Sequence, residues 1–69
     1  MRDPRLEAFG KRVREIRKEK NLSQEELAAL ACIDRSYMGH IERGEKNITL
    51  TKIYQVADAL GVPAFKLMD

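Results

Sequence analysis

Four polar side chains lie at helical spacing near the middle of the chain: Arg35, Ser36, His40 and Arg43. They have no apolar reason to be buried, so we expect them on the exposed face of a helix. An arginine on such a face can donate two hydrogen bonds to O6 and N7 of guanine, which discriminates between bases by roughly 1–3 kcal/mol. We predict that Arg35 is the main base reader and that Ser36 gives or accepts one hydrogen bond. His40 could reach a second base edge or a phosphate, and Gly39 keeps the space between these side chains clear.

Residues for other kinds of chemistry are scarce. The chain has one histidine and one cysteine, no spacing pairs them as metal ligands, and no paired carboxylates occur in a pocket-forming context. A lone cysteine also excludes an intramolecular disulfide. We therefore predict that the protein is not an enzyme and uses neither a metal nor a cofactor.

The elements that must position this face are two short helices, and the first begins with a capping box. Ser23 is its predicted N-cap, and Glu26 stands three residues later, so two backbone donors at the helix start find side-chain partners. The predicted apolar face of this helix is Leu27, Ala28, Leu30 and Ala31.

The second helix is predicted to begin after Asp34, whose carboxylate can cap the amide of Ser36 or Tyr37. It should end at Gly44, because glycine accepts the left-handed conformation common after a helix. Only Cys32 and Ile33 separate the two helices, so they must cross steeply as a helix-turn-helix. The residues expected where they meet are Leu27, Ala31, Met38 and Ile41.

Three further helices are predicted around this pair. The first starts at Pro4 with Asp3 as its N-cap and ends near Lys20; its apolar positions are Leu6, Phe9, Val13 and Ile16. A fourth helix is capped by Thr49 and stopped by Gly61, and its inner stripe is Ile53, Val56, Ala57 and Leu60. A short fifth helix starts at Pro63. The expected architecture is all-α, with five helices in a single domain over residues 1–69 and the helix-turn-helix formed by helices 2 and 3.

The motifs LSQEELA and DRSYMGHIERG, separated by a short turn, resemble the lambda-repressor-like helix-turn-helix family, also called the Xre family. The runs DRSY and IERGEKNIT are most similar to the controller proteins of restriction-modification systems, which are small dimeric regulators that bind short operators. The resemblance implies that Arg35 and Ser36 read bases, and His40 takes a position often used for base contact. It places five residues near the DNA backbone, with Gln24 holding a phosphate: Gln24, Tyr37, Arg43, Lys46 and Asn47.

The same resemblance implies two structural features outside this face. One is a partly buried ion pair between Arg17 and Glu42, which would be structural. The other is a two-fold interface formed by the last two helices, with the two recognition helices about 34 Å apart. The residues Phe65, Leu67 and Met68 supply more apolar surface than one core face can use, which also favours a dimer; the alternative is that Phe65 and Met68 close the core.

Two positions depart from the family pattern. Cys32 stands where many members have glycine with a positive φ, at a cost of about 1–2 kcal/mol; we expect it to be a small buried turn residue, with a redox-sensing thiol as the alternative. Asp34 is an acid beside the expected phosphates. We expect its charge to be used in capping the helix and in holding Arg35.

Composition bounds the remaining possibilities. The chain has 69 residues, 43% hydrophobic and 35% charged, with a net charge of +2, so specific contacts must matter more than a diffuse positive field. No signal peptide and no apolar run of roughly 20 residues is present, which predicts a cytoplasmic protein away from membranes.

These features together predict a sequence-specific regulator of transcription that binds a double-stranded operator as a homodimer. If it activates, Glu25 and Glu26 could face RNA polymerase; repression is equally open. The alternative is a protein-interaction module or antitoxin that keeps the fold.

Overall fold

Four α-helices and one 3-10 turn make up the computed structural model, which describes residues 3–68. The α-helices are α1 (Pro4–Glu19), α2 (Gln24–Ala31), α3 (Arg35–Glu42) and α4 (Leu50–Leu60). The predicted helix-turn-helix is confirmed as α2 and α3. The fifth helix is wrong, because Ala64–Leu67 forms only a 3-10 turn. The four residues have no side-chain cap and are too few to stabilise a turn of α-helix.

All four α-helices begin at side-chain caps that the sequence predicts: Asp3, Ser23, Asp34 and Thr49. At α2 the capping box is complete, with Ser23 Oγ accepting from the Glu26 amide at 2.9 Å and the Ser23 amide donating to Glu26 Oε1 at 2.7 Å. The backbone hydrogen bond from Ser23 is the main cause that lowers the pKa of Glu26. The helix starts are therefore set by residues that are close together in the sequence.

Each α-helix is followed within two residues by a residue with positive φ: Asn21, Cys32, Gly44 and Gly61. Cys32 has φ 57°, as predicted from its position in the turn. The prediction that Cys32 is buried is wrong, since it is exposed. The left-handed turn lies at the surface, and the following residue, Ile33, is the one that enters the core.

The core lies between α1, α2, α3 and α4, and its fully buried side chains include Val13, Leu27, Met38 and Val56. One residue of the predicted apolar face of α2, Leu30, is instead 59% exposed. Successive residues of a helix are rotated by about 100°. Leu30 therefore projects roughly 105° away from the centre of the stripe formed by Leu27, Ala28 and Ala31. Only those three residues reach the core from α2: Leu27, Ala28 and Ala31.

The last turn contributes to the core through Leu67, which is 1% exposed. Its side chain is therefore not available to a partner, which corrects its prediction as an interface residue. Phe65 and Met68 are 64% and 54% exposed and project away from the core. The turn is also tied to α1 by a hydrogen bond from Arg12 Nε to the Lys66 carbonyl at 3.0 Å.

Helix α1 supports α3 through a close crossing at Gly10. A Cβ atom at this position would lie 2.6 Å from the Glu42 carbonyl oxygen and 2.8 Å from its carbon. Both are backbone atoms, so a larger residue would push the two helices apart. Gly10 thus sets how closely α3 lies on α1. Within residues 3–68, no helix has the length and apolar character needed to cross a bilayer.

Candidate nucleic-acid interface

A shallow surface depression lies where the start of α2 meets the outer face of α3. We call it the α3 depression; it is lined by Gln24, Arg35, Ser36, Gly39, His40 and Arg43. Five of the eight residues predicted to contact DNA are thus brought together here. Their donors come from two helices that share one core, so their relative positions are held by the fold.

Arg35 and Ser36 occupy the first turn of α3 and are exposed. The Asp34 carboxylate accepts the Ser36 amide at 3.0 Å, which confirms its capping role. The Arg35 side chain forms no hydrogen bond or ion pair with any residue of the described range, so the expected hold of Asp34 on Arg35 does not form. The Arg35 guanidinium therefore retains its full donor set at the surface.

Gly39 is buried at the floor of the α3 depression. A Cβ atom there would lie 3.1 Å from Arg43 Nη1 and 3.4 Å from Gln24 Oε1. Gly39 thus keeps the space between Arg43 and Gln24 clear. A side chain at this position would displace the two flanking residues.

His40 is half-buried and lies against a residue that the sequence analysis missed, Glu45. Glu45 Oε1 is 2.7 Å from His40 Nδ1, and Oε2 is 3.1 Å from Arg43 Nε. The signal in the sequence was a glycine, Gly44, placed between the end of the helix and an acid. Such a glycine turns the chain back along the helix.

Beneath the α3 depression lies the ion pair between Arg17 and Glu42. Arg17 Nε and Nη2 donate to the two carboxylate oxygens at 2.7 and 3.1 Å, and Arg17 Nη1 donates to the Leu22 carbonyl at 2.9 Å. The two side chains are 10% and 4% exposed. Gln24 Nε2 donates to the same carboxylate at 3.2 Å. The pair thus joins α1 to α3 and orients Gln24 at the rim of the α3 depression.

Three residues predicted to lie near the DNA backbone are outside the α3 depression. Tyr37 is half-buried against the core, with Lys52 Nζ 5.7 Å from the centre of its ring. Lys46 and Asn47 are exposed in the segment between α3 and α4. No three His, Cys, Asp or Glu side chains within residues 3–68 are grouped to hold a metal ion.

The sequence pattern of the helix-turn-helix family matches residues 13–67, most of the described chain. The chain belongs to the Xre-like helix-turn-helix family. Control protein C.BamHI of Bacillus amyloliquefaciens is 45% identical over 62 residues, covering 88% of this chain and 76% of that protein. Control protein C.SmaI of Serratia marcescens is 40% identical over 62 residues, covering 90% and 74%.

Solved structures show the same likeness in three dimensions. The restriction-modification controller protein C.AhdI from Aeromonas hydrophila superposes with a TM-score of 0.92 at 46% identity, covering 94% of this chain and 98% of that one. The biofilm master regulator SinR, solved in complex with DNA, has a TM-score of 0.83 at 35% identity, covering 88% and 98%. The chain is accordingly a helix-turn-helix protein that binds DNA and regulates transcription, and its relatives are regulators, not enzymes.

Proposed function

We propose that this chain is a homodimeric transcriptional controller that binds a two-fold symmetric operator with α3 in the major groove. The observation that carries the proposal is the Arg35 guanidinium at the exposed start of α3, beside Ser36 in the α3 depression and without a partner among residues 3–68. A guanidinium in this place can make the bidentate contact to guanine, because no side chain of that range competes for its donors.

The predicted contacts divide into two kinds. Arg35, Ser36 and His40 read base edges, and the remaining side chains hold the DNA backbone and fix the register. The backbone group is Gln24, Tyr37, Arg43, Lys46 and Asn47. The Asp34 carboxylate accepts the Ser36 amide at the start of α3, and this contact offsets part of its repulsion of the DNA phosphates. In this proposal residues 1–69 act as one DNA-binding domain.

The dimer interface includes Phe65 and Met68, which expose large apolar side chains at the end of the chain. Met68 also borders a second depression formed with Ala8 and Phe9 of α1, so the apolar surface continues beyond the turn. Leu67 anchors this turn in the core. Pairing through this surface places the two copies of α3 about 34 Å apart, one turn of the duplex.

The likeness to C.BamHI and C.AhdI supports a role as controller of a restriction-modification system. If the protein activates transcription, Glu25 is the acidic residue at the start of α2 that could face RNA polymerase, because Glu26 is engaged in the capping box. The interaction-module alternative is not favoured, since the named relatives are regulators that share both the fold and the sequence pattern.

The test is selection of bound sequences from a random duplex pool at near-physiological salt, with wild type, Arg35→Ala and Lys11→Ala. Lys11 is exposed on α1 outside the α3 depression, so Lys11→Ala controls for the loss of one positive charge. Wild type and Lys11→Ala should enrich a two-fold symmetric motif. Arg35→Ala should lose a guanine preference of roughly 1–3 kcal/mol in each half-site.

Enrichment of a single half-site would refute the dimer. An unchanged motif with Arg35→Ala would refute the assigned base reader. No enrichment by wild type would refute the DNA-reading function of the isolated chain.

A further inference from the structure

The segment that follows α3 folds back onto the last turn of the helix. The Gly44 amide donates to the Ile41 carbonyl at 3.1 Å, and the Glu45 amide donates to the His40 carbonyl at 2.9 Å. With Gly44 at φ 72°, this is the paired hydrogen-bond pattern of a Schellman motif. These backbone hydrogen bonds therefore place Glu45 beside His40 independently of any contact between their side chains.

The side chains complete the contact. Glu45 Oε1 lies 2.7 Å from His40 Nδ1, and an ionised carboxylate can only accept a hydrogen bond. The proton of the imidazole must then reside on Nδ1. Arg43 Nη2 is 3.3 Å from the same nitrogen, and a guanidinium that donated there would require an unprotonated Nδ1. The Glu45 contact is the shorter of the two, at 2.7 Å against 3.3 Å, so we assign the proton by Glu45.

The second ring nitrogen, Nε2, is left for an external partner. It forms no hydrogen bond in the part of the chain that the structure describes, and His40 lines the α3 depression with Arg35 and Ser36. When a neutral imidazole carries its proton on Nδ1, Nε2 is an acceptor. In the major groove the matching donors are the amino groups of adenine and cytosine.

We propose that Glu45 is a positioning residue that fixes the tautomer of His40, so that His40 Nε2 accepts a hydrogen bond from an adenine or cytosine amino group. The inference rests on the proposed DNA-reading function and names a specificity determinant of the same site. Without Glu45, the ring is free to carry its proton on Nε2 and donate to guanine O6 or N7, to thymine O4 or to adenine N7, so that cytosine is no longer favoured over guanine and thymine.

The charged groups around the ring are consistent with this assignment. Glu45 provides the negative charge in contact with Nδ1, Arg43 balances it through the other carboxylate oxygen at 3.1 Å, and Arg35 borders the same depression. From α2, the residue lining the depression is the uncharged Gln24. The contact that selects a tautomer is therefore the one from Glu45.

The first measurement is the nitrogen-15 chemical shift of the two imidazole nitrogens in free protein at pH 8. His40 is the single histidine of the chain, so its signals need no assignment by mutation. Wild type should show a protonated Nδ1 and an unprotonated Nε2. Glu45→Gln should shift the ring toward the Nε2-protonated tautomer, while Glu19→Gln, an exposed acid at the end of α1, should leave it unchanged.

The second measurement is selection from random duplexes with wild type, His40→Ala, Glu45→Gln and Glu19→Gln. Wild type should show about a fivefold preference for adenine or cytosine at one position per half-site, the ratio expected for a single hydrogen bond. His40→Ala should lose that preference. Glu45→Gln should lose it or broaden it to include guanine or thymine, while the guanine that depends on Arg35 stays.

A wild-type ring protonated on Nε2 at pH 8 would overturn the tautomer assignment. So would a wild-type motif in which the position lost with His40→Ala is not adenine or cytosine, or is unmoved by Glu45→Gln. These failures differ from failure of the proposed function, in which wild type selects no sequence although the ring tautomer is still measured.

Discussion

The buried ion pair between Arg17 and Glu42 allows a quantitative prediction about stability. Arg17→Met removes a cation that makes two hydrogen bonds to Glu42 and one to the Leu22 carbonyl. The Glu42 side chain is 4% exposed, and among the described residues it keeps only the Gln24 hydrogen bond at 3.2 Å. Leaving a buried carboxylate without its cation costs about 3–5 kcal/mol.

That cost approaches the whole stability of the fold, because a single core of this size supplies only about 3–5 kcal/mol. Arg17→Lys keeps the charge but loses the paired geometry, so it should cost about 1–2 kcal/mol and remain measurable. The double variant Arg17→Met/Glu42→Leu removes both charges. It should cost about 0–2 kcal/mol, because no uncompensated charge is left in the interior.

The assay is urea unfolding followed by helical circular dichroism, with the free energy of unfolding compared across the wild type, the single variants and the double variant. Glu42→Leu alone leaves the Arg17 cation unpaired and should also cost about 3–5 kcal/mol. If the two single costs were additive, the double variant would lose about 6–10 kcal/mol, which is more than the total stability of the fold. A double variant that is unfolded, or a single Arg17→Met that costs less than about 1 kcal/mol, would refute the reasoning.

Two further predictions concern helix ends. Cys32→Gly should raise the free energy of unfolding by about 0.5–1 kcal/mol, because glycine relieves the left-handed strain at φ 57° although it loosens the unfolded chain; a lower urea midpoint would contradict this. The Ser23 amide lowers the folded pKa of Glu26 below its ordinary 4.5, so its contribution to stability is fully present above that value and is lost as the pH falls through the lower folded pKa. Glu26→Gln should therefore reduce the loss in free energy of unfolding on acidification below about pH 4.5. If the free energy of unfolding depends on pH identically in wild type and Glu26→Gln, the carboxylate contributes nothing.

The sequence alone was sufficient for features that depend on neighbours along the chain. The caps at Ser23 and Asp34 act on amides two or three residues away, so residue type and spacing specify them. The helix-turn-helix follows from a link of two residues, Cys32 and Ile33, because so short a link restricts the angle at which the two helices can cross. The grouping of Arg35 with its neighbours on one face of α3 follows from helical periodicity.

Sequence patterns failed where burial depends on elements far apart in the chain. Leu30 and Leu67 are similar in type, yet Leu30 is exposed and Leu67 is fully buried. Whether each leucine is buried depends on where α1 and α4 lie in the fold, not on the hydrophobicity of its neighbours in the sequence. The same cause reduced the fifth helix to a 3-10 turn, since Ala64–Leu67 is held by core contacts rather than by its own helical length.

The finer chemistry of the candidate site was decided by the tertiary structure in the same way. The resemblance supplied the pairing of Arg17 with Glu42, but the third member, Gln24, joins them only because α2 packs across the end of α3. The contact of Glu45 with His40 depends on the left-handed turn at Gly44. Periodicity and capping therefore determined which residues share a face, whereas the hydrogen bonds of Gln24 with Glu42 and of His40 with Glu45 were set by side chains that meet only in the folded structure.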